Sequence, residues 1–326
     1  MQKINILARL GFFIVLLTPF TAGAWGKRGH QIVAETATSL NSREPNASFL
    51  KAQGFNMAYY ANVPDFVWKR PATYESEKPQ HFMDLEIFER EFAKHPDVKN
   101  PFALTRKEFE EKFPDIPLMA GRAFWRIREL YADLEKVTQQ LRDLKEQAGP
   151  ARQKLQEKWL VTAGVIGHYI GDLGQPLHVT ENHDGQMTGQ KGVHAYFEDE
   201  MVDDLYPEIN CEVNKDASNQ WAAFSKKNGD KSVLELLETL SEHSQKEIPK
   251  LLAIDKKSKR ENVGQNMKAF HQLIRQRLVD SSLVLAELYR RQLGWAFDNN
   301  KFFFMAGEPE YMPPAPGSGK VKVNKE

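Results

Sequence analysis

The hydrophobic residues of the chain recur with the spacing of α-helices. In residues 126–148, apolar side chains follow one another at intervals of four and three, with charged residues between them, before Gly149-Pro150. The pattern predicts an amphipathic helix whose apolar positions are Leu130, Leu134, Val137, Leu141 and Leu144. Because the run is shorter than four heptads, core packing is favoured over a coiled-coil partner.

Helices are also predicted over about 154–172, 232–252 and 262–293. Two polar stretches that contain Pro or Gly, 69–80 and 182–192, indicate loops. No stretch of alternating apolar and polar residues is long enough to indicate a major sheet. We therefore expect an all-α fold with a single helical domain.

The two ends of the chain differ from this helical body. Residues 1–24 combine basic residues, an apolar run and the small-residue sequence Ala22-Gly23-Ala24, which is typical of a secretory signal peptide. We expect cleavage after Ala24 and a secreted or periplasmic protein, with an uncleaved anchor as the alternative. Residues 25–306 would form the folded domain, and the proline- and lysine-rich residues 307–326 a disordered tail.

Bulk composition narrows the kinds of partner. The sequence has 44 basic and 44 acidic residues, and cleavage removes only two of them, Lys3 and Arg9. The mature protein would therefore have 42 basic and 44 acidic residues and be nearly neutral. A protein that neutralises a long nucleic-acid backbone is usually basic, so substrate recognition is expected to be local. The single cysteine, Cys211, excludes an internal disulfide. Neither stable membrane insertion nor an obligate protein partner is indicated.

Histidines and carboxylates are paired at a spacing that suits a metal site. His168 and Asp172 are four residues apart in a predicted helix and share one face, and His194 and Glu198 repeat the spacing. Between the pairs a proline interrupts the helix and redirects His178. One such pair alone is often a salt bridge, but two pairs that flank a further histidine favour two neighbouring metal positions. Imidazole and carboxylate ligands without thiolate indicate zinc.

Four segments resemble a family of zinc enzymes. They are Trp25–Ala37 (WGKRGHQIVAETA), Gln80–Asp84 (QHFMD), Gly121–Ile127 (GRAFWRI) and Gly167–Glu198, which includes GDLGQPLH at Gly171–His178. These segments are similar to the zinc-dependent single-strand nucleases of the S-one and P-one type, whose superfamily also contains bacterial zinc phospholipases C. The resemblance covers about residues 25–295 and implies a helical fold around a trinuclear zinc site.

The resemblance also implies which residues bind zinc. Three ions would be held, the first by Asp65, His81, His168 and Asp172, the second by His30 with the freed amino group and carbonyl oxygen of Trp25, and the third by His178, His194 and Glu198. Asp172 would bridge the first two ions. Because Trp25 offers an amino group only after cleavage, activity is expected to depend on processing.

The expected chemistry is hydrolysis of a phosphate ester. Zinc can ionise water near neutral pH and neutralise phosphate charge, and no activated Ser or Cys nucleophile is evident. Asp172 would hold the zinc pair at which water attacks, and Asp65 would orient that water. The nucleases carry an arginine three residues after the aspartate that corresponds to Asp65, and this chain has Trp68 there. The neighbouring Lys69 and Arg70 are therefore candidates for binding the phosphate. Phe82 is a candidate for stacking on a base.

Three hypotheses for function follow. The long match at Trp25–Ala37 favours a nuclease acting on single-stranded DNA or RNA. Glu198, where the nucleases usually have Asp, and the short span from His178 to His194 resemble the phospholipases C and favour a phospholipid substrate. The third hypothesis is a non-catalytic secreted helical protein, which would bind zinc but hydrolyse nothing.

Overall fold

The computed structural model describes residues 25–42, 47, 49–298 and 308–316, and their regular secondary structure is helical. The α-helices are Lys27–Asn41 (α1), Phe49–Tyr60 (α2), Tyr74–Glu77 (α3), Leu85–Phe92 (α4), Arg106–Lys112 (α5), Ala123–Asp143 (α6), Pro150–Gly174 (α7), Val193–Ala195 (α8), Met201–Leu205 (α9), Glu208–Asn228 (α10), Val233–Lys257 (α11) and Val263–Arg291 (α12). Pro64–Trp68 and Tyr196–Glu200 form π-helical turns, and Lys78–His81, Pro101–Ala103, Leu118–Ala120 and Pro176–His178 form 3-10 turns. These residues contain an isolated bridge between Met83 and Gly121 but no strand. The predicted all-α fold is confirmed.

Helix α7 lies at the centre of the molecule. It packs against α1, α2, α6, α11 and α12. Every residue from Thr162 to Gly174 is buried, as expected for a helix that other helices surround on all sides. His168 and Asp172 lie in this segment, so close packing restricts the positions of both side chains.

The helices predicted over 154–172, 232–252 and 262–293 are present as α7, α11 and α12. The start of α11 follows from its sequence, because Ser232 and Glu235 form a reciprocal capping box. In α12 the apolar side chains that share one face are buried: Phe270, Ile274, Leu278, Leu285 and Leu288. Helical periodicity therefore identified three of the five helices that pack against α7, namely α6, α11 and α12.

The helix predicted over 126–148 is α6, but it ends at Asp143. Arg152 of α7 is buried and donates hydrogen bonds to the carbonyl oxygens of Leu141, Leu144 and Glu146. These bonds satisfy carbonyl groups at the helix end, so the chain can leave the helix at Leu144. Leu144 is only half-buried, whereas the other four predicted apolar positions are buried.

The two predicted loops have different outcomes. Residues 182–192 form turns, in which Gly192 has a positive φ of 89° and donates its N–H to Asp184. The stretch 69–80 instead contains α3 and most of the following 3-10 turn, so the loop prediction is wrong there. Helix α3 is too short to be stable alone and depends on tertiary contacts; one of these is the hydrogen bond from the Tyr169 hydroxyl to Glu77.

Residues 308–316, here called the C-terminal strap, are bound to the folded domain. The indole N–H of Trp68 donates to the carbonyl oxygen of Pro309 over 3.1 Å, and the guanidinium of Arg126 donates to that of Met312. Side chains of the domain thus bind the main chain of this part of the tail, for which composition predicted disorder. The rest of the tail lies outside the described residues.

No helix in the described part of the chain is long and apolar enough to cross a membrane. The predicted signal peptide, residues 1–24, lies outside that part. Cleavage after Ala24 therefore stays a prediction.

Candidate metal centre

Three groups of His, Asp and Glu side chains could each hold a metal ion. They are the His30 group (His30, His168 and Asp172), the Asp65 group (Asp65, His81 and His168) and the Glu198 group (His178, His194 and Glu198), and the ligand atoms within each lie within 4.8 Å of one another. All eight side chains predicted as ligands belong to these groups. The fold thus brings together residues that are up to 168 positions apart in the sequence, from His30 to Glu198.

Asp172 faces two of the groups at once. Its Oδ1 lies 3.4 Å from His30 Nε2, and its Oδ2 lies 3.1 Å from His81 Nδ1 and 3.5 Å from His168 Nε2. Oδ1 is buried and accepts no hydrogen bond from the described residues. A buried carboxylate oxygen without a partner is costly. One oxygen of Asp172 thus faces His30 and the other faces His81 and His168.

In the Glu198 group, hydrogen bonds fix the tautomers of both histidines. His178 Nδ1 lies 2.8 Å from the carbonyl oxygen of His81, and His194 Nδ1 lies 2.6 Å from that of His183. Because a carbonyl oxygen only accepts, each Nδ1 carries a proton, and a ring that is neutral then presents a lone pair at Nε2. The two Nε2 atoms are 3.1 Å apart, and Glu198 Oε2 is 2.9 Å from that of His194. This convergence of electron pairs requires a cation, either a proton or a metal ion.

His168 is fixed in the same way. Its Nδ1 donates to the carbonyl oxygen of Ala61 over 2.8 Å, and its Nε2 lies 2.9 Å from His81 Nδ1. Burial lowers the pKa of His168 to about 3, so the ring is neutral, which is the form that binds metal.

The carboxylates of the site are held in their ionised form. Burial alone would raise the pKa of Asp65, but the positive charge of Lys69 opposes burial most strongly, and the pKa lies well below its ordinary value. Burial is likewise outweighed at Asp172 and Glu198, whose pKa values are lowered by neighbouring histidines. Ionised carboxylate oxygens together with imidazole nitrogens are a donor set for a divalent cation.

Local chain geometry positions the Glu198 group. Helix α7 ends before Pro176, and the Gln175 side chain at this break donates to Glu198 Oε2 over 2.7 Å. In the turn that follows, the carbonyl oxygen of His178 accepts from the N–H of Met83 over 2.9 Å. Two separate segments of the chain are thereby joined beside the histidines.

Two of the candidate ligands lie in π-helical turns. Asp65 is in the turn Pro64–Trp68 and Glu198 in the turn Tyr196–Glu200. This conformation is rare and is frequently found at functional sites. It is not visible in hydrophobic periodicity, so the sequence pattern did not predict it.

Glu77 is a buried carboxylate behind His81 that sequence reasoning missed. Its Oε1 accepts from the Tyr169 hydroxyl and lies 3.4 Å from His81 Nε2, and its Oε2 lies 3.8 Å from Arg126. Burial opposes ionisation, but His81 and Arg126 lower the pKa of Glu77. The spacing of four between Glu77 and His81 was a usable signal, but the stretch before His81 was predicted to be a loop.

Trp25 is fully buried beside the His30 group. A Cβ placed on Gly171 would lie 2.7 Å from His30 Nδ1 and 3.7 Å from Trp25 Cδ1. The start of the described chain and α7 thus approach too closely for any side chain at position 171. The predicted binding of metal by the main chain of Trp25 stays a prediction.

A pocket of about 510 Å³ adjoins the groups. It is lined by His81, His178 and His194 and by two of the residues predicted to bind substrate, Lys69 and Phe82. Lys69 Nζ lies 2.9 Å from Asp65 Oδ1, so its positive charge lies between a candidate ligand and the pocket.

Arg70, the third residue predicted to bind substrate, does not line the pocket. Its side chain is 52% exposed and pairs with Glu308 of the C-terminal strap. The predicted phosphate contact of Arg70 is therefore not supported, because the guanidinium forms an ion pair with a carboxylate of the strap.

Sequence reasoning did not assign substrate contacts to Tyr74, Lys78, Asp84 or Met119, which also line the pocket. Tyr74 and Lys78 fell in a stretch predicted to be a loop. Asp84 was noticed only as part of a motif, yet burial and the neighbouring Glu86 raise its pKa to about 7.

The chain matches no model of a known protein family, and it has no significant match among curated protein sequences. What the protein binds is therefore inferred from its own donor atoms and pocket.

Proposed function

We propose that this protein is a secreted zinc-dependent phosphodiesterase whose substrate is single-stranded DNA or RNA. The observation that carries the proposal is the convergence of the His178 and His194 lone pairs and a Glu198 oxygen on one point, beside two further groups of buried ligands. Imidazole and carboxylate donors without thiolate suit zinc.

In this proposal each group holds one ion. The Glu198 group would hold one with its three side chains, and the Asp65 group a second together with Asp172. The third would lie between His30, Asp172 and the freed amino group and carbonyl oxygen of Trp25. Zinc in such sites neutralises phosphate charge and makes water acidic enough to supply a nucleophile at neutral pH.

The protein's own residues then bind and orient the substrate. The ionised Asp65 carboxylate, held by Lys69, orients the attacking water. The Lys69 ammonium lines the pocket and offsets negative charge that develops on the phosphate. Phe82 lines the same pocket, and an unpaired base can stack on an aromatic ring there.

A second candidate substrate is a phospholipid, in which case the protein is a phospholipase C. Exposed apolar side chains occur in segments that frame the pocket: Met119, 44% exposed, lines it, and Phe66, 65% exposed, follows Asp65. Met187, 63% exposed, lies in the same loop as the pocket residue His183. Such side chains suit contact with a lipid surface.

The third candidate is a secreted protein that binds zinc without catalysis. It is less well supported, because structural zinc sites are closed whereas these groups adjoin an open pocket. It predicts bound zinc and no hydrolysis of any phosphodiester.

The test is a substrate panel with the mature protein that begins at Trp25. We expect hydrolysis of bis(p-nitrophenyl) phosphate and of single-stranded DNA, and little release of phosphocholine from phosphatidylcholine vesicles. The reverse preference would establish the phospholipase, and no hydrolysis of any of the three substrates would refute a phosphodiesterase.

A pair of variants ties the activity to the site. Asp172→Asn should abolish turnover. Glu212→Gln is the matched control. Glu212 also pairs with a histidine, His271 at 2.7 Å, but both of these side chains are partly exposed to solvent. Equal activity in both variants would contradict the proposed role of Asp172.

A further inference from the structure

One wall of the pocket is formed by side chains that none of the metal groups uses. Tyr74, at the start of α3, and Lys78, four residues later in the following turn, both line the pocket. Residues four apart on a helical turn share a face. The other pair at this spacing, Glu77 and His81, is directed to the metal groups. One short segment thus supplies the metal site with one pair and the pocket with another.

Lys78 is a pocket cation that pairs with no carboxylate in the described part of the chain. Lys69 pairs with Asp65 at 2.9 Å. By contrast, the ammonium of Lys78 lies over the ring of Tyr74, 5.5 Å from its centroid, and within the described residues no carboxylate lies within 4.0 Å of it. The cation–π contact keeps the ammonium beside the ring. Lys78 is therefore available to an anionic ligand.

The pocket is larger than one phosphate group requires. Its volume of about 510 Å³ falls in the range of sites that enclose a whole small-molecule ligand. Tyr74 and Lys78 are both half-buried at the pocket wall, and a cation beside an aromatic ring suits a unit that combines a phosphate with a planar ring. A single-stranded nucleic acid offers such a unit at every nucleotide.

We propose that Tyr74 and Lys78 form a second nucleotide subsite next to the metal groups. Lys78 binds the phosphate adjacent to the one that is cleaved, and Tyr74 stacks on the adjoining base. The inference rests on the proposed nuclease function and extends it: the protein prefers oligonucleotides with at least two phosphates over a substrate with one. A phospholipid has a single phosphodiester and no base, so it would not use this subsite.

The experiment compares Lys78→Met with wild-type protein on three substrates: bis(p-nitrophenyl) phosphate, the dinucleotide TpT and an eight-residue oligothymidylate. Lys94→Met is the matched control, because Lys94 is an exposed lysine on the same part of the chain that pairs with Glu91. Tyr74→Leu tests the stacking. Thermal unfolding and helical circular dichroism are measured for each variant, and Lys78→Gln replaces Lys78→Met if the latter does not fold.

We expect Lys78→Met to lower kcat/KM on the octamer about tenfold and to change the rates on TpT and bis(p-nitrophenyl) phosphate less than about twofold. The slope of log KM for the octamer against log salt concentration should become smaller by about 0.7, which is the change expected when one phosphate contact to a single strand is lost. Tyr74→Leu should lower binding of a phosphorothioate octamer by about tenfold, the effect of losing one stacked base.

An unchanged ratio of octamer to bis(p-nitrophenyl) phosphate rates, with an unchanged salt slope, would overturn the subsite. If wild-type protein cleaves bis(p-nitrophenyl) phosphate but no oligonucleotide, the subsite is refuted while a phosphodiesterase remains. If wild-type protein cleaves none of the three, the proposed function itself fails.

Discussion

Replacing Glu77 with Gln should weaken metal binding at the Asp65 group without altering any ligand. Glu77 Oε1 lies 3.4 Å from His81 Nε2, while the opposite ring nitrogen faces Asp172 at 3.1 Å. A carboxylate behind a metal-binding histidine fixes the ring and raises its basicity, and its loss typically costs about 10- to 100-fold in metal affinity. That range corresponds to about 1.4 to 2.7 kcal/mol.

The same substitution should also destabilise the fold. Glu77 is fully buried, and its Oε2 lies 3.8 Å from Arg126, which is also buried. Removing one partner of a buried ion pair costs about 3 to 5 kcal/mol, because the other charge loses its compensation. The free energy of unfolding alone therefore does not isolate the effect on His81.

Glu287→Gln separates the two effects. Glu287 is equally buried and pairs with Arg290 at 2.8 Å and Arg291 at 2.9 Å, but it contacts no candidate ligand. Zinc affinity is measured for both variants by competition with a chromophoric chelator, and stability by urea unfolding. We expect both variants to be less stable and only Glu77→Gln to bind zinc more weakly. Equal zinc affinities would refute the orienting role of Glu77.

Three other predictions follow from the same geometry. Gly171→Ala should reduce zinc content, because its Cβ would lie 2.7 Å from His30 Nδ1. The control is Gly54→Ala, whose Cβ would meet nothing within 4 Å and which should raise the free energy of unfolding by about 0.5–1 kcal/mol. Equal zinc contents in the two variants would contradict the clash. Burial raises the pKa of Asp84 from 3.8 to about 7, so the folded state binds the carboxyl proton more tightly than the unfolded state does. As pH rises from about 4 to 7, the free energy of unfolding of the wild-type protein should therefore fall relative to that of Asp84→Asn, by at most about 4 kcal/mol. Urea unfolding at pH 4.5 and 8 checks this, and parallel changes in both proteins would contradict it. A residue added before Trp25 should lower zinc content by one ion per chain, measured by elemental analysis; undiminished zinc would argue against a main-chain ligand.

The parts of the site that the sequence predicted are those set by helical geometry. His168 and Asp172 share a face of α7, and their side chains lie 3.5 Å apart at the closest. His194 and Glu198 lie 2.9 Å apart. Glu198 remains close to the histidine four residues before it although it lies in a π-helical turn and not in an α-helix. The remaining ligands were named from a resemblance, because no local pattern relates His30 or Asp65 to α7.

The parts that the sequence did not predict depend on contacts between distant segments. Helix α3 is a single turn that tertiary contacts stabilise, so composition alone indicated a loop and Glu77 was missed. The C-terminal strap has no periodicity, but its carbonyl oxygens accept from Trp68 and Arg126. Arg70 was predicted to face phosphate, yet it pairs with Glu308, over 230 residues away in sequence. Such pairings cannot be read from residue spacing.

The number of zinc ions bound by the mature protein and by Asp172→Asn tests the metal centre most directly. Elemental analysis of the wild-type protein should give three ions per chain. Asp172 faces the His30 and Asp65 groups but not the Glu198 group, so Asp172→Asn should retain one ion and lose phosphodiester hydrolysis. At most one ion in the wild-type protein, or three ions with full activity in Asp172→Asn, would contradict a three-metal phosphodiesterase.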